Sequence, residues 1–286
     1  MNPLKTYLKN FSVASIEYES RYLALQRQTF VSYYPFGVFE ARDFDEFEFE
    51  PITIFSGANG SGKSTLLNVI AESLGVKRLG PFNTSKYMSA YTEGCNYVAD
   101  ELPKASKIIT SDDVFNYLTD VRYMNIGIQS DAFDLFEEYY DNRHKSLEIP
   151  ASDNYKKHIE AITKGTMQFI NGRLINSAVM ESNGQSSIRF FTSQITENAL
   201  YLLDEPENSL SPKMQLELKK YIEDSVKGYN CQFIISTHSP FFLALDNAKI
   251  YNLDDYYGVE TRWTELESVR TYYDFFKKYK SEFEDL

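Results

Sequence analysis

The sequence predicts an α/β fold on a mainly parallel sheet, with a β-rich entry and a helical insertion, and three observations point to it. The segment Gly57-Ala58-Asn59-Gly60-Ser61-Gly62-Lys63-Ser64-Thr65 follows a strand-like run, Pro51-Ile52-Thr53-Ile54-Phe55, and precedes a helix-like one at 66–74. Two continuous apolar runs, Ala199-Leu200-Tyr201-Leu202-Leu203 and Gln232-Phe233-Ile234-Ile235-Ser236, suit strands buried on both faces. Between them a helix opens at Ser211-Pro212, with Ser at the cap and Pro in the first turn. Strand, helix, strand implies parallel pairing.

The remaining elements follow in order. Residues 1–50 read as a β-rich N-terminal part. There Thr29-Phe30-Val31-Ser32-Tyr33-Tyr34 is β-prone, and Phe47-Glu48-Phe49-Glu50 alternates apolar and acidic faces, which suits an antiparallel sheet. Lys107-Ile108-Ile109-Thr110 is a short strand ending at Ser111-Asp112-Asp113, with a helix after it. Residues 112–180 form a helical insertion: Phe133, Phe136, Tyr139 and Tyr140 recur at helical spacing, as do Tyr155, His158, Ile159 and Ile162. No heptad persists, so a long coiled coil is excluded. Gly165, Gly172 and the polar stretch 181–187 mark loops, and Asp254-Asp255 a turn. A C-terminal helix covers 264–286, with Tyr272, Tyr273, Phe275 and Phe276 as a docking or core surface. The whole of 1–286 is expected to be one domain.

Bulk composition narrows the setting. With 29 Lys plus Arg against 41 Asp plus Glu, the net charge of −12 argues against a broad nucleic-acid surface, while leaving a local nucleic-acid contact open. No apolar run approaches the ~20 residues of a membrane helix. Met1-Asn2-Pro3-Leu4-Lys5 has no secretion-signal core, and the two cysteines, Cys95 and Cys231, form neither a C-x-x-C pair nor a disulfide framework. A reducing cytoplasm is the expected compartment.

The glycine-rich segment carries the first chemistry. Its glycines let successive N–H groups of Asn59, Gly60, Ser61 and Gly62 turn toward an anion. Lys63 reaches β- and γ-phosphates, Ser64 can ligate Mg²⁺, and past Thr65 the helix from Leu66 onward aims its positive end at the phosphates. Leu202-Leu203-Asp204-Glu205 ends a buried strand in two carboxylates, giving Asp204 to the Mg²⁺ shell and Glu205 to the attacking water. His238, in Ser236-Thr237-His238-Ser239-Pro240, leaves another strand end, from which it can donate to the γ-phosphate. His144 and His158 have no such setting and read as ordinary helix residues. Ser182-Asn183-Gly184-Gln185 at a helix N-terminus makes a second anion site. No guanine-reading Asn-Lys-x-Asp or Thr-Lys-x-Asp segment is present, which favours ATP over GTP.

In this order the four pieces resemble the ATPase domain of the ATP-binding-cassette (ABC) class, over roughly 45–286. Gly57 to Thr65 matches Walker A, Ser182 to Gln185 the signature, Leu200 to Glu205 Walker B, Asn208-Ser209-Leu210-Ser211 the D-loop, and His238 the switch histidine. The wording Asp204-Glu205-Pro206-Glu207-Asn208-Ser209-Leu210-Ser211-Pro212 is more similar to the soluble AAA-type ATPases related to the Rad50, SMC, RecF and OLD groups than to transporter subunits. The resemblance implies an α/β P-loop NTPase of ABC-ATPase type that uses ATP and Mg²⁺. It implies a head-to-tail, ATP-dependent homodimer in which Ser182, Gly184 and Gln185 act across the interface. It further implies a hydrolytic switch acting on a separate effector, such as a nuclease or toxin, in genome maintenance or defence; a transporter's energy subunit and an ATP-gated module with little hydrolysis are the alternatives. The signature departs from the pattern at Glu181 and Asn183. For the Q-loop position Gln129 and Thr110-Ser111-Asp112 both stand, and Tyr33, Tyr34, Phe36 and Phe39 all compete as the adenine-stacking aromatic.

Overall fold

A computed structural model describes residues 4–26, 32–44, 46–121 and 183–284. The chain divides into two compact units, one of Met1–Phe115 with Gly184–Leu286 and the other of Asn116–Asn183. The second unit is described only at 116–121 and 183, which are helical. The helical insertion expected over 112–180, with Gln129, His144 and His158, otherwise lies outside the described residues, as do 29–31 of the expected N-terminal strand and Ser182.

The first unit is built on a five-stranded sheet in the order β5-β6-β7-β3-β8. These strands are β5 Lys107–Thr110, β6 Leu200–Asp204, β7 Gln232–Ser236, β3 Ile52–Ser56 and β8 Lys249–Asn252, and every neighbouring pair is parallel. All residues of β3 and β7 are buried, which explains why these strands read as continuous apolar runs rather than alternating ones. Full burial of side chains such as Ile54 and Phe55 stabilises the sheet by about 1.5–3 kcal/mol each. Parallel strands need long crossovers. Helix Lys63–Leu74 leaves β3, and helix Pro212–Tyr229 joins β6 to β7. Ser211 occupies the cap position of the latter, although its side chain makes no capping hydrogen bond there.

A second, antiparallel sheet has the order β2-β1-β4, with β1 Leu8–Ser12, β2 Phe47–Glu48 and β4 Asn96–Ala99. Phe47 and Phe49 are buried while Glu48 and Glu50 are exposed, as the alternation requires. Gln232 joins the two sheets. Its side-chain oxygen accepts from the N–H groups of Tyr7 (2.7 Å) and Leu8 (2.9 Å), and its amide donates to the carbonyls of Leu8 (2.9 Å) and Glu50 (3.2 Å). A fully buried amide is tolerable because both of its ends are satisfied.

The N-terminal part is less β-rich than its aromatics suggest. Residues Ile16–Ala24 form a helix, because the Ser15 side chain accepts from Tyr18 N–H at its start and Tyr18 and Tyr22 fall on one face. Ser32 to Tyr34 is not a strand and leads into the turns that run over Walker A. The expected loop at 181–187 gives way to helix Asn183–Gln194 from Asn183 onward. At the C-terminus, Trp263–Glu265, Glu267–Lys278 and Lys280–Glu284 are helical. Tyr272, Tyr273, Phe275 and Phe276 are exposed there, so the core alternative for them fails.

Candidate nucleotide site

Strands β3, β6, β7 and β8 all end at the same edge of the sheet, the place where open α/β sheets bind ligands. The glycine-rich loop leaves β3 at that edge. Gly60 and Gly62 have φ of +84° and +96°, and a Cβ on Gly62 would stand 2.6 Å from the Phe39 ring. Those two positions therefore require glycine. Asn59 and Gly60 are exposed on the loop's crest, whereas Ser61 is buried, its hydroxyl without a hydrogen-bond partner among the described residues. Tyr34 Oη lies 3.4 Å from Thr65 Oγ1 at the loop's far end.

Lys63 is almost fully buried and folds back onto the loop, its Nζ donating to the carbonyls of Gly57 (2.9 Å) and Ala58 (3.2 Å). Burial lowers its pKa, and the carboxylates of Glu205, Asp204, Asp254 and Glu207 oppose that shift. Ser64 Oγ donates to Asp204 Oδ1 at 2.9 Å, and the Ser236 hydroxyl donates to the same oxygen. Burial raises the Asp204 pKa; the hydroxyls of Ser236 and Ser64 pull it back.

Glu205 takes a left-handed backbone, φ 47° and ψ 55°, with its N–H on Ser236 O at 3.0 Å. That turn carries its side chain toward the edge, where Asn208 Nδ2 donates to Oε2 at 2.9 Å and His238 Nε2 stands 3.6 Å from Oε1. Burial depresses the His238 pKa, and Lys63 adds to the depression. The lowered pKa favours the neutral imidazole beside Glu205. Its Nε2 is buried without a hydrogen-bond partner among the described residues.

Two residues that motif reading gave no role here stand out. Glu207 Oε1 accepts from Thr237 Oγ1 (2.7 Å), His238 N–H (2.6 Å) and Ser239 N–H (3.2 Å), so it fixes the turn that carries the histidine. Burial raises its pKa. Asp254, expected only as part of a turn, reaches the loop and accepts from Ala58 N–H with both oxygens, at 2.9 and 2.8 Å. No local signal marks either contact. Thr110, one of the two Q-loop candidates, pairs in register with Asp204 across β5 and β6. Gly184 lies in the first turn of helix Asn183–Gln194, and Gln185 beside it is exposed.

The residues gathered at this edge can hold a triphosphate. Ser64 and Asp204 offer a hydroxyl and a carboxylate, hard oxygen donors that fit Mg²⁺ held partly by phosphates and water.

A parallel sheet with a phosphate loop after β3, adjacent carboxylates after β6 and a histidine after β7 is the P-loop fold of ABC-type ATPases. A family model described as "AAA domain, putative AbiEii toxin, Type IV TA system" matches residues 97–244, just over half of the chain, and the chain belongs to that family. The matched segment holds Asp204, Glu205 and His238; the glycine-rich loop precedes it. Among curated proteins, the chain is 25% identical over 206 residues to the tungstate uptake system ATP-binding protein TupC of Campylobacter jejuni, covering 70% of this chain. It spans about half the length of that relative, 53%. Solved structures similar to it include an Smc head domain with an extended coiled coil from Pyrococcus furiosus, at 11% identity and TM-score 0.44, covering 96% of this chain and 99% of that one. An ATP-binding cassette in a dimeric post-hydrolysis state with ADP and Pi is 14% identical with TM-score 0.39, covering 92% and 99%. These low scores transfer nothing from those proteins to this one. Among the described residues no helix is long and apolar enough to cross a membrane.

Proposed function

We propose that this chain binds and hydrolyses ATP as a molecular switch that dimerises on the nucleotide and controls a separate effector. The observation that carries the reading is the convergence of Lys63, Ser64, Asp204, Glu205 and His238 at one sheet edge, Ser64 and Asp204 bonding across 140 residues of sequence. In this reading Lys63 leaves the Gly57 carbonyl for the β- and γ-phosphates, and the loop N–H groups of Asn59 to Thr65 receive the rest of the chain of phosphates. Ser64 and Asp204 would hold Mg²⁺, which neutralises charge on the β- and γ-oxygens. Glu205 polarises the attacking water, and Asn208 keeps its second oxygen oriented. The unpartnered His238 Nε2 then donates to the γ-phosphate, which satisfies a buried polar atom that otherwise has no partner.

Ser182, Gly184 and Gln185 of a second copy complete the cage in a head-to-tail dimer, and closure on ATP followed by release after hydrolysis makes two states. The family description, which names a toxin and a type IV toxin-antitoxin system, favours an effector in defence, supplied as a separate nuclease or toxin chain in the cytoplasm. The similarity to a tungstate uptake ATP-binding protein favours a second reading, an energy subunit for a membrane permease. Partial burial of Tyr34 beside Thr65 favours it as the adenine-side aromatic, while Phe36 and Phe39 are committed to the core.

Size-exclusion chromatography of Glu205→Gln tests the switch. With saturating ATP and Mg²⁺ the variant is expected to run as a dimer, and without nucleotide as a monomer. A variant that remains monomeric with ATP and Mg²⁺ would refute the dimeric cage.

A further inference from the structure

We propose that Asp254 is a positioning residue for the phosphate loop: it holds the Gly57–Ala58 peptide by its amide while Lys63 holds the same peptide by its carbonyl. This inference rests on the reading of that loop as an ATP site.

The topology delivers Asp254 to the loop. Strand β8 runs parallel to β3, with Asn252 in register with Ser56, so the chain leaving β8 arrives at the loop's root. Leu253 N–H donates to Ser56 O at 2.7 Å, extending that pairing by a residue. The next residue then places its carboxylate on Ala58 N–H, at 2.9 and 2.8 Å from the two oxygens. On the other side of that peptide, Lys63 Nζ sits 2.9 Å from Gly57 O. One peptide unit is thus held between an ammonium and a carboxylate, an arrangement in which each charged group strengthens the other's hydrogen bond.

The turn that presents Asp254 is itself fixed from several directions. Asn252 Oδ1 accepts from Asp254 N–H at 3.1 Å, and Asn252 N–H donates to Val259 O at 3.0 Å. Arg42 Nη1 donates to Asp255 O at 3.3 Å, and Asp43 N–H to Tyr256 O at 3.0 Å. When phosphates draw Lys63 away, the peptide loses its cation but keeps its carboxylate. The loop then holds its shape while the lysine moves, and nucleotide binding does not have to order a freely rotating peptide.

Asp254 is exposed, so its substitution leaves the core intact. Affinity for Mg²⁺–ATP, measured by calorimetry, is compared among the wild type, Asp254→Asn and Asp254→Ala. Both variants lose the charge, but Asn retains an oxygen for Ala58 N–H. Asp254→Ala is therefore expected to bind about fivefold more weakly than Asp254→Asn, the worth of one hydrogen bond. In steady-state assays KM is expected to move with affinity while kcat at saturating ATP holds, and the melting temperatures of the two variants are expected to coincide. Equal affinities for Asn and Ala would overturn the proposal, whether both bind more tightly than wild type, as charge repulsion alone would give, or match it. A wild type that fails to bind Mg²⁺–ATP would instead overturn the ATP reading of the loop, and this inference with it.

Discussion

The turn after β6 and the turn after β8 both bring carboxylates to the same sheet edge, yet they are built in opposite ways. After β6 the acids are partly buried and held in place by the backbone or by donors from neighbouring turns. Glu205 sits in a left-handed backbone, Asp204 shares one oxygen between two hydroxyls, and Glu207 takes three donors from the β7 turn. After β8 the acid is exposed, and its carboxylate accepts from a backbone amide of the phosphate loop. In the proposed function the first turn serves the reacting phosphate, and in the proposed role of Asp254 the second holds a loop still. Substitutions should separate accordingly, those after β6 acting on turnover and those after β8 on affinity.

The largest expected effect belongs to Glu205. Replacing it by Gln removes the group proposed to polarise water, and kcat should fall by about 10²–10⁴-fold with ATP affinity nearly unchanged, as steady-state and binding assays would reveal. A parallel loss of affinity would erase the distinction between the two turns.

Glu207 is next. Truncation to Ala leaves Thr237 Oγ1 and the N–H of His238 without the acceptor they share, while Ser239 N–H keeps Thr237 Oγ1 as its other acceptor, and His238 loses its placement. Stability should drop by roughly 1–3 kcal/mol in denaturant titrations, from unmade buried hydrogen bonds, and kcat should fall about tenfold or more while KM changes little.

The smallest effect sharpens the electrostatics. His238 has a folded pKa below its ordinary 6.5, burial being the larger cause and Lys63 the next. Above the unfolded value the imidazole is neutral in both states and contributes nothing to pH dependence. As pH falls through 6.5 the unfolded chain takes up the proton first, so stability declines until the folded imidazole also protonates. Thermal midpoints of the wild type should therefore fall slightly more steeply below pH 6.5 than those of His238→Gln, since partial exposure screens the term. Coincident profiles would mean that the histidine is not shielded by its neighbours.

The two turns also differ in how they register in the sequence. Gly57 to Thr65, Asp204-Glu205 and His238 are legible because each stands at the end of a continuous apolar strand, and because glycine, lysine and paired acids at fixed spacing have few other uses there. Four strands of the parallel sheet follow from such runs, whereas β8 at Lys249–Asn252, a four-residue strand opening on a lysine, was not read as one. Asp254 is not legible in this way: a carboxylate in a polar turn is ordinary, and its partner Ala58 lies across the chain and contributes only a backbone amide. Glu207 is silent for a related reason, since its three donors come from the turn after another strand. The helix at Ile16–Ala24 was hidden by aromatic content that suits strands equally well, and Ser15, whose cap decides the matter, is a weak local signal. The exposed face of Glu267–Lys278 was ambiguous because apolar residues at helical spacing do not reveal what covers them.

Calorimetric titration of Mg²⁺–ATP into the wild type and into Lys63→Ala tests the account most directly. Saturable binding by the wild type, weakened about a hundredfold in the variant through loss of a buried charge-assisted contact, is the expected result. No heat from the wild type, or equal affinity in the two proteins, would contradict it.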